Sequence, residues 1–450
     1  MLIRAQPDWV RRWVAKASWA VADQAFFALS QFAMSIMLAR WLTPPEYGAY
    51  AMVYGVFLFI ASLHTSLLTE PMLVFAKTRF SHDFQHYLSA LRRAHLTLTG
   101  VAGACLLLGA VLARGQTGTP AALGLAALAA AQPLILLAWL YRRACYVHGH
   151  PAMAASGGLL HLIIVVAGVI LLEALGALSV PGAFLVFGGA GLGASLWLAW
   201  RLKREDLTGN ERRPLVRREV LVAHWNYGRW SVMTGLISWA SYNLYFFLLP
   251  AFVGLSATGA FKAFLNLVMP ATHAIAALSL LLLPMLSRET EREPFQRQMV
   301  RALAVFLAGC TLYGLIAGIF WHPILRLLYG SGYVSYTRYL GTPQLVWLIA
   351  FLPVGAACVS VLGSALRAVE RPDRVFGAYI FSGIVGTLLG IATVARLGLE
   401  GAIIGTALYT CATSLALYWH LRRELAQWGP QSRRAPVMPI ASAQSPTARE

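Results

Sequence analysis

Twelve apolar runs of about twenty residues recur along this chain, and they constrain its fold more than any other feature. A helix rises 1.5 Å per residue, so about twenty residues cross the ~30 Å hydrocarbon core of a bilayer. The runs fall at 17–41, 47–68, 94–113, 121–140, 152–172 and 181–200, and again at 224–249, 257–283, 300–320, 345–365, 375–395 and 401–420. They are continuously apolar rather than alternating. In lipid a backbone must close its hydrogen bonds within the segment, which predicts helices rather than barrel strands. Only 12% of the 450 residues are charged, roughly half the share of a soluble domain. Too few charges remain to cover a water-exposed surface. That excludes a soluble enzyme, a disordered chain and a disulfide-stapled secreted module.

The charges are uneven in sign and in place. Lys and Arg number 36 against 18 Asp and Glu, a formal charge of +18. Of the 36, 29 fall on the N-terminal arm, the even-numbered loops and the tail. The positive-inside rule then predicts that both termini are cytoplasmic. The charge reads as a topology label, not as a nucleic-acid signal. Five scattered cysteines form no CxxC pair, so neither a zinc site nor a disulfide framework is expected, and no cofactor. The expected organisation is a basic arm (1–16), a six-helix lobe (17–200), a basic linker (201–223), a second six-helix lobe (224–423) and a disordered tail (424–450).

The halves echo each other. Gly48-Ala49-Tyr50 recurs as Gly259-Ala260-Phe261, and Pro71-Met72-Leu73 as Pro284-Met285-Leu286. Pro151 matches Pro372, and Gly182-Ala183 matches Gly401-Ala402; the four matches fall in order, with offsets between 211 and 221. Six spans per half is an even number, so both halves share one orientation. The predicted fold is an all-α polytopic membrane protein with two lobes related by a pseudo-twofold axis along the membrane normal, around a central cavity. Rocking two such lobes exposes the cavity alternately to either side, which points to a transporter and not an enzyme.

Several stretches resemble a known family. Leu38-Ala39-Arg40-Trp41-Leu42-Thr43-Pro44-Pro45-Glu46-Tyr47-Gly48 is similar to the stretch closing the first helix of Wzx-like oligosaccharide flippases, with Thr43 where that family usually has Gly. These belong to the multidrug/oligosaccharidyl-lipid/polysaccharide (MOP) exporter superfamily. Leu328-Tyr329-Gly330-Ser331-Gly332-Tyr333, Gly363 to Pro372, and Leu397-Gly398-Leu399-Glu400-Gly401-Ala402 resemble later motifs of the family, in the same order. The resemblance implies a multi-pass protein of the bacterial inner membrane. It would flip undecaprenyl-diphosphate-linked oligosaccharides outward for surface polysaccharide, beside membrane lipids and a polysaccharide polymerase with its chain-length machinery. The alternatives are a MATE-like proton- or sodium-coupled drug antiporter and, further off, a membrane polysaccharide polymerase or ligase.

Ionisable and polar residues inside spans are costly and so become site candidates. Lys262 reads either as a cavity cation for the diphosphate or as a side chain snorkelling to the headgroups. Arg229 is a second such cation, and Arg40, at a helix C-terminus, a third. Gln31, Asn243 and Asn266 are candidate hydrogen-bond partners for sugar hydroxyls, as are His64, His161 and His273. Asp23 is expected to pair with Arg229 as a gate between lobes, or to titrate in coupling; Glu70 is the other gate or coupling candidate. The Gly189 to Ala194 stretch mimics a dinucleotide loop, but lies inside a span and reads as helix packing.

Overall fold

The computed structural model describes residues 8–76, 79–80, 84–113, 119–204, 217–287, 289 and 291–427, with the backbone alone at 8–17 and a few other positions. Residues 1–7 of the arm, 205–216 of the linker and 428–450 of the tail lie outside the described residues. Every regular element among the described residues is helical. The first half holds α1 (Asp8–Trp41), α2 (Pro44–His64), a π-helical turn (Thr65–Thr69), α3 (Glu70–Phe75), α4 (Phe84–Ala113), α5 (Thr119–Val147), α6 (Pro151–Ala174) and α7 (Val180–Arg204). The second holds α8 (Arg217–Asn243), α9 (Tyr245–Phe252), α10 (Leu255–Asn266), α11 (Met269–Ser287) and α12 (Arg292–Ile319). It ends with α13 (Trp321–Tyr329), a 3-10 turn (Gly330–Gly332), α14 (Tyr333–Thr337), α15 (Leu345–Ala350), α16 (Leu352–Ala368) and α17 (Pro372–Gln427).

Among the described residues ten helical stretches are long and apolar enough to cross a membrane, α17 among them, and the α10–α11 pair, bent by 55°, makes an eleventh. α17 supplies two crossings. Its 56 residues would extend roughly 84 Å if straight, far more than a bilayer. At Gly398 the backbone leaves the helix (φ 58°, ψ −126°). The Thr393 hydroxyl then reaches the Gly401 carbonyl at 3.0 Å across the turn. Leu96, Leu108 and Leu112 on α4, Val305 and Leu312 on α12, and Leu388 and Leu415 on α17 are each more than 60% exposed. Apolar surface of that extent is stable against lipid and not against water. The chain is an integral multi-pass membrane protein.

The sequence repeat is a structural one. Pro151 opens α6 and Pro372 opens α17, where a missing N–H costs no helical hydrogen bond. The turns before them use Gly149 (φ 74°) and Glu370 (φ 58°), and the next turns use Gly176 (φ 62°) and Gly398 (φ 58°). In the first bundle α1 packs on α6, α4 on α5, and α7 on both α5 and α6; in the second, α16 packs on α11, α12 and α17. The seam between bundles is made by α2 against α8 and α10, and by α1 against α10, α11 and α13.

Three expectations change. The second span does not stop at 68 but passes through the π-helical turn into α3. Residues 217–223 of the linker are helical. The segment 322–344, left between the expected spans 300–320 and 345–365, folds into α13 and α14 and buries Leu325, Tyr329 and Tyr336.

Candidate functional site

The two ends of the seam differ. At one end, called here the basic face, Arg92, Arg93, Arg142, Arg143, Lys203 and Arg204 gather at the ends of α4, α5 and α7. The opposite end is sealed. α2 starts there because Pro44 fits the first helical turn and the Glu46 carboxylate accepts from the Thr43 backbone N–H at 3.0 Å and from its hydroxyl at 2.7 Å. One turn on, Gly48 meets α10 backbone to backbone. A Cβ on Gly48 would collide with the Leu255 carbonyl, and one on Gly259 with the Pro44 carbonyl.

A buried hydrogen-bond ring lies against this contact. Ser35 Oγ donates to Asn266 Oδ1 at 3.0 Å. Asn266 Nδ2 donates to the Tyr47 hydroxyl at 2.9 Å, and that hydroxyl, 2.8 Å from Ser35 Oγ, closes the ring. Asn266 Nδ2 also reaches the Tyr329 hydroxyl at 3.2 Å, which donates to the Ala263 carbonyl. Tyr336 donates to the Ala39 carbonyl at 2.6 Å. α13 and α14 exist to deliver these two tyrosines. Farther along α2, Tyr47, Tyr50 and Tyr54 stack at 5.9 and 5.7 Å. The Lys262 ammonium, from the other lobe, sits 5.6 Å from the Tyr54 ring centre, within cation–π range.

Toward the basic face, α2, the π-helical turn and α3 stay shut against α8. Trp239 Nε1 donates to the Gly55 carbonyl at 2.8 Å, and Ser231 Oγ to Glu70 Oε2 at 2.6 Å. The Leu67 carbonyl, which only accepts, lies 2.8 Å from His224 Nδ1. That fixes the proton on Nδ1 and leaves Nε2 to accept from the Tyr87 hydroxyl at 2.7 Å. α1 and α11 instead part. Between them lies a cavity of about 410 Å³, with Gln24, Ala25 and Ala28 on one wall, His273 and Ala277 on the other, and Arg143 of α5 behind. His273 Nε2 is buried without a hydrogen-bond partner among the described residues. Among the described residues Arg143 makes no hydrogen bond or ion pair.

Its neighbour Arg142 is differently placed. Arg142 Nε donates to both carboxylate oxygens of the fully buried Asp23, at 2.7 and 2.9 Å, and Tyr146 donates to Oδ2 at 2.6 Å. The guanidinium also covers the Phe27 ring at 4.7 Å. Asp23 and Arg142 neutralise each other and tie α1 to α5. Arg143, with no ion-pair partner of its own among the described residues, stands at the cavity wall.

No family model and no curated protein matches the sequence. Solved structures match in fold. An inward-facing multidrug resistance MATE family transporter of the MOP superfamily is 16% identical, with a TM-score of 0.72, over 91% of this chain and 98% of that one. An outward-facing structure of such a transporter gives 15% and 0.66, over 92% and 96%. The lipid II flippase MurJ, inward closed, gives 11% and 0.68, over 91% and 89%. The chain shares its fold with these transporters and with that flippase.

In this fold the candidates scatter along the seam. Lys262 crosses the seam to Tyr54 instead of snorkelling outward. Asn266 is the hub of the seal. Asn243 donates to the Trp239 carbonyl of its own helix at 3.0 Å. Gln31 is half-buried midway along α1. Arg40 is exposed at the sealed end, its guanidinium beside Gly330. Glu70 joins the lobes through Ser231. Arg229 is exposed on α8, and the expected Asp23–Arg229 gate does not form: Asp23 takes Arg142, within its own lobe. His64 pairs with His95 at 3.1 Å and His161 with Ser30 at 3.0 Å, both inside the first lobe. Arg143 was missed because, next to Arg142, it counts as a loop cation. The available signal was that no Gly or Pro interrupts the run between Pro133 and Gly149, so the helix carries both arginines inward.

Proposed function

We propose that this chain is an alternating-access flippase for lipid-diphosphate-linked oligosaccharides. The observation that carries the reading is Arg143, a cation with no ion-pair partner among the described residues, on the wall of an interlobe cavity, facing His273 of the other lobe. A hydrated sugar chain and a diphosphate cannot cross hydrocarbon, since each unsatisfied polar group costs several kcal/mol. Arginine supplies a planar fork of donors matched to phosphate. A cleft between α1 and α11 lets the headgroup enter while its lipid tail remains in the bilayer. Lys262, farther along the seam, is the next cation on the way across.

The basic face is the cytoplasmic one in this reading, with both termini inside the bacterial inner membrane. The higher TM-score with an inward-facing than with an outward-facing MATE structure supports that assignment. Diphosphate then moves outward down an inside-negative potential, worth roughly 2.3 kcal/mol per charge per 100 mV. The seal is suited to opening. Its hydrogen bonds are neutral and contribute about 1 kcal/mol each, so the two states stand within a few kcal/mol of one another.

The test is Arg143→Glu and Lys262→Glu in a strain deleted for the gene. Both variants should accumulate in the membrane, fail to restore surface polysaccharide and strand lipid-linked sugars in the inner leaflet. Full restoration by Arg143→Glu would remove the anion role. The second reading, a MATE-like drug antiporter, draws on the same fold and on Asp23. It predicts altered drug tolerance with unchanged surface polysaccharide.

A further inference from the structure

A second cavity stands apart from the seam, wholly inside the first bundle. It measures about 340 Å³ and lies between α4, α5 and α7 at the basic face. Each helix contributes one face to it: Leu88 and Arg92, Tyr141 and His148, Ala199 and Lys203. The spacings of four, seven and four residues place each pair on the same side of its helix. The small side chain at Ala199 leaves the space open. Arg92 and Lys203 are exposed and make no hydrogen bond or ion pair among the described residues. Among the described residues no carboxylate lines the cavity. His148 is held edge-on against the Phe84 ring at 4.4 Å.

The depth of this cavity is marked by its neighbours on α7. The Arg204 guanidinium lies 5.3 Å from the Trp200 ring centre and that of Arg201 5.9 Å from the Trp197 ring centre. Tryptophans paired with arginines sit at the headgroup level of a bilayer. Two cations at that level, above a floor of Leu88, Ala199 and Leu202, match an amphiphile with a phosphate at its polar end. Basic pockets between transmembrane helices recognise such headgroups. We propose that this cavity is a binding site for the phosphate headgroup of an anionic lipid from the leaflet at the basic face, with Arg92 and Lys203 as its cations. The site is separate from the transport cavity and does not depend on what is transported.

Native mass spectrometry of the purified full chain tests this, with phosphatidylglycerol and phosphatidylcholine as probes. The wild type should retain phosphatidylglycerol preferentially. Arg92→Ala with Lys203→Ala should weaken it about 30-fold, from about 1 kcal/mol per basic residue near the surface. The pair Arg92→Lys with Lys203→Arg should keep binding, which separates loss of charge from loss of fold. Arg93 is the next residue and does not line the cavity, so Arg93→Ala should change binding less than twofold. Ala199→Phe fills the cavity without altering charge and should abolish the preference. Equal weakening by Arg93→Ala and Arg92→Ala, or intact binding in Ala199→Phe, would overturn the site. Displacement of the lipid by an equal concentration of inorganic phosphate would also overturn it, in favour of a free anion.

Discussion

The two ends of the interlobe seam are built from different chemistry. The sealed end has Gly48 against Gly259, a ring of hydroxyl and amide groups around Asn266, and buried tyrosines. No charged side chain takes part in that ring. The open end has Asp23 on α1, Arg142 and Arg143 near the end of α5, and a cavity beside them. Neutral groups can separate and rehydrate at modest cost, whereas a buried ion pair cannot be split without leaving a bare charge. On the proposed alternating-access reading, the lobes part along the neutral contact, and the ion pair, held within one lobe, stays whole.

That contrast can be broken at either end. Asp23→Asn should have the largest effect, because it leaves Arg142 largely buried beside a neutral amide. The expected loss is about 3–5 kcal/mol, read as a lower unfolding temperature in detergent. Adding Arg142→Gln should recover part of it; a double variant no better than the single would show that the pair is not the cause. Next is Gly48→Val at the sealed end. Overpacking costs roughly 1–3 kcal/mol, and here the strain is relieved by moving α2 off α10. A cysteine at Ser35, with the five native cysteines replaced, should then react faster with an impermeant thiol reagent; unchanged labelling would mean the glycine contact does not hold the seam. Ser35→Ala is the mildest change. It removes one donor to Asn266 and should cost about 1 kcal/mol, shifting the lobes toward opening without unfolding either bundle. A loss as large as that of Asp23→Asn would contradict the division into neutral seal and charged anchor.

Much of the fold is legible in the sequence, and the reasons are local. An apolar run announces a span wherever it sits, and Leu397-Gly398 with Gly401 announces the tight hairpin within α17. The superfamily resemblance drawn from short motifs agrees with the shared fold. The π-helical turn at Thr65–Thr69 has no such signal, since its residues suit an ordinary helix. The site is less legible because its pairings are long-range. Asp23 and Arg142 are 119 residues apart, and no periodicity links them. Gly48 and Gly259 are visible as an echo, but the repeat does not say that the two copies touch. Arg143 was hidden by its position at a helix end, where an arginine looks like a topology marker.

The contact between Gly48 and Gly259 joins a motif to its own repeat. Such a contact is isologous: each partner presents the same surface to the other. One six-helix half thus carries both sides of the seal, and two identical halves in parallel orientation would form it without any new surface. Joining them in one chain removes the requirement that the sides stay identical. Tyr50 against Phe261 shows that freedom in use, and so does Lys262, whose counterpart in the first half is Ala51.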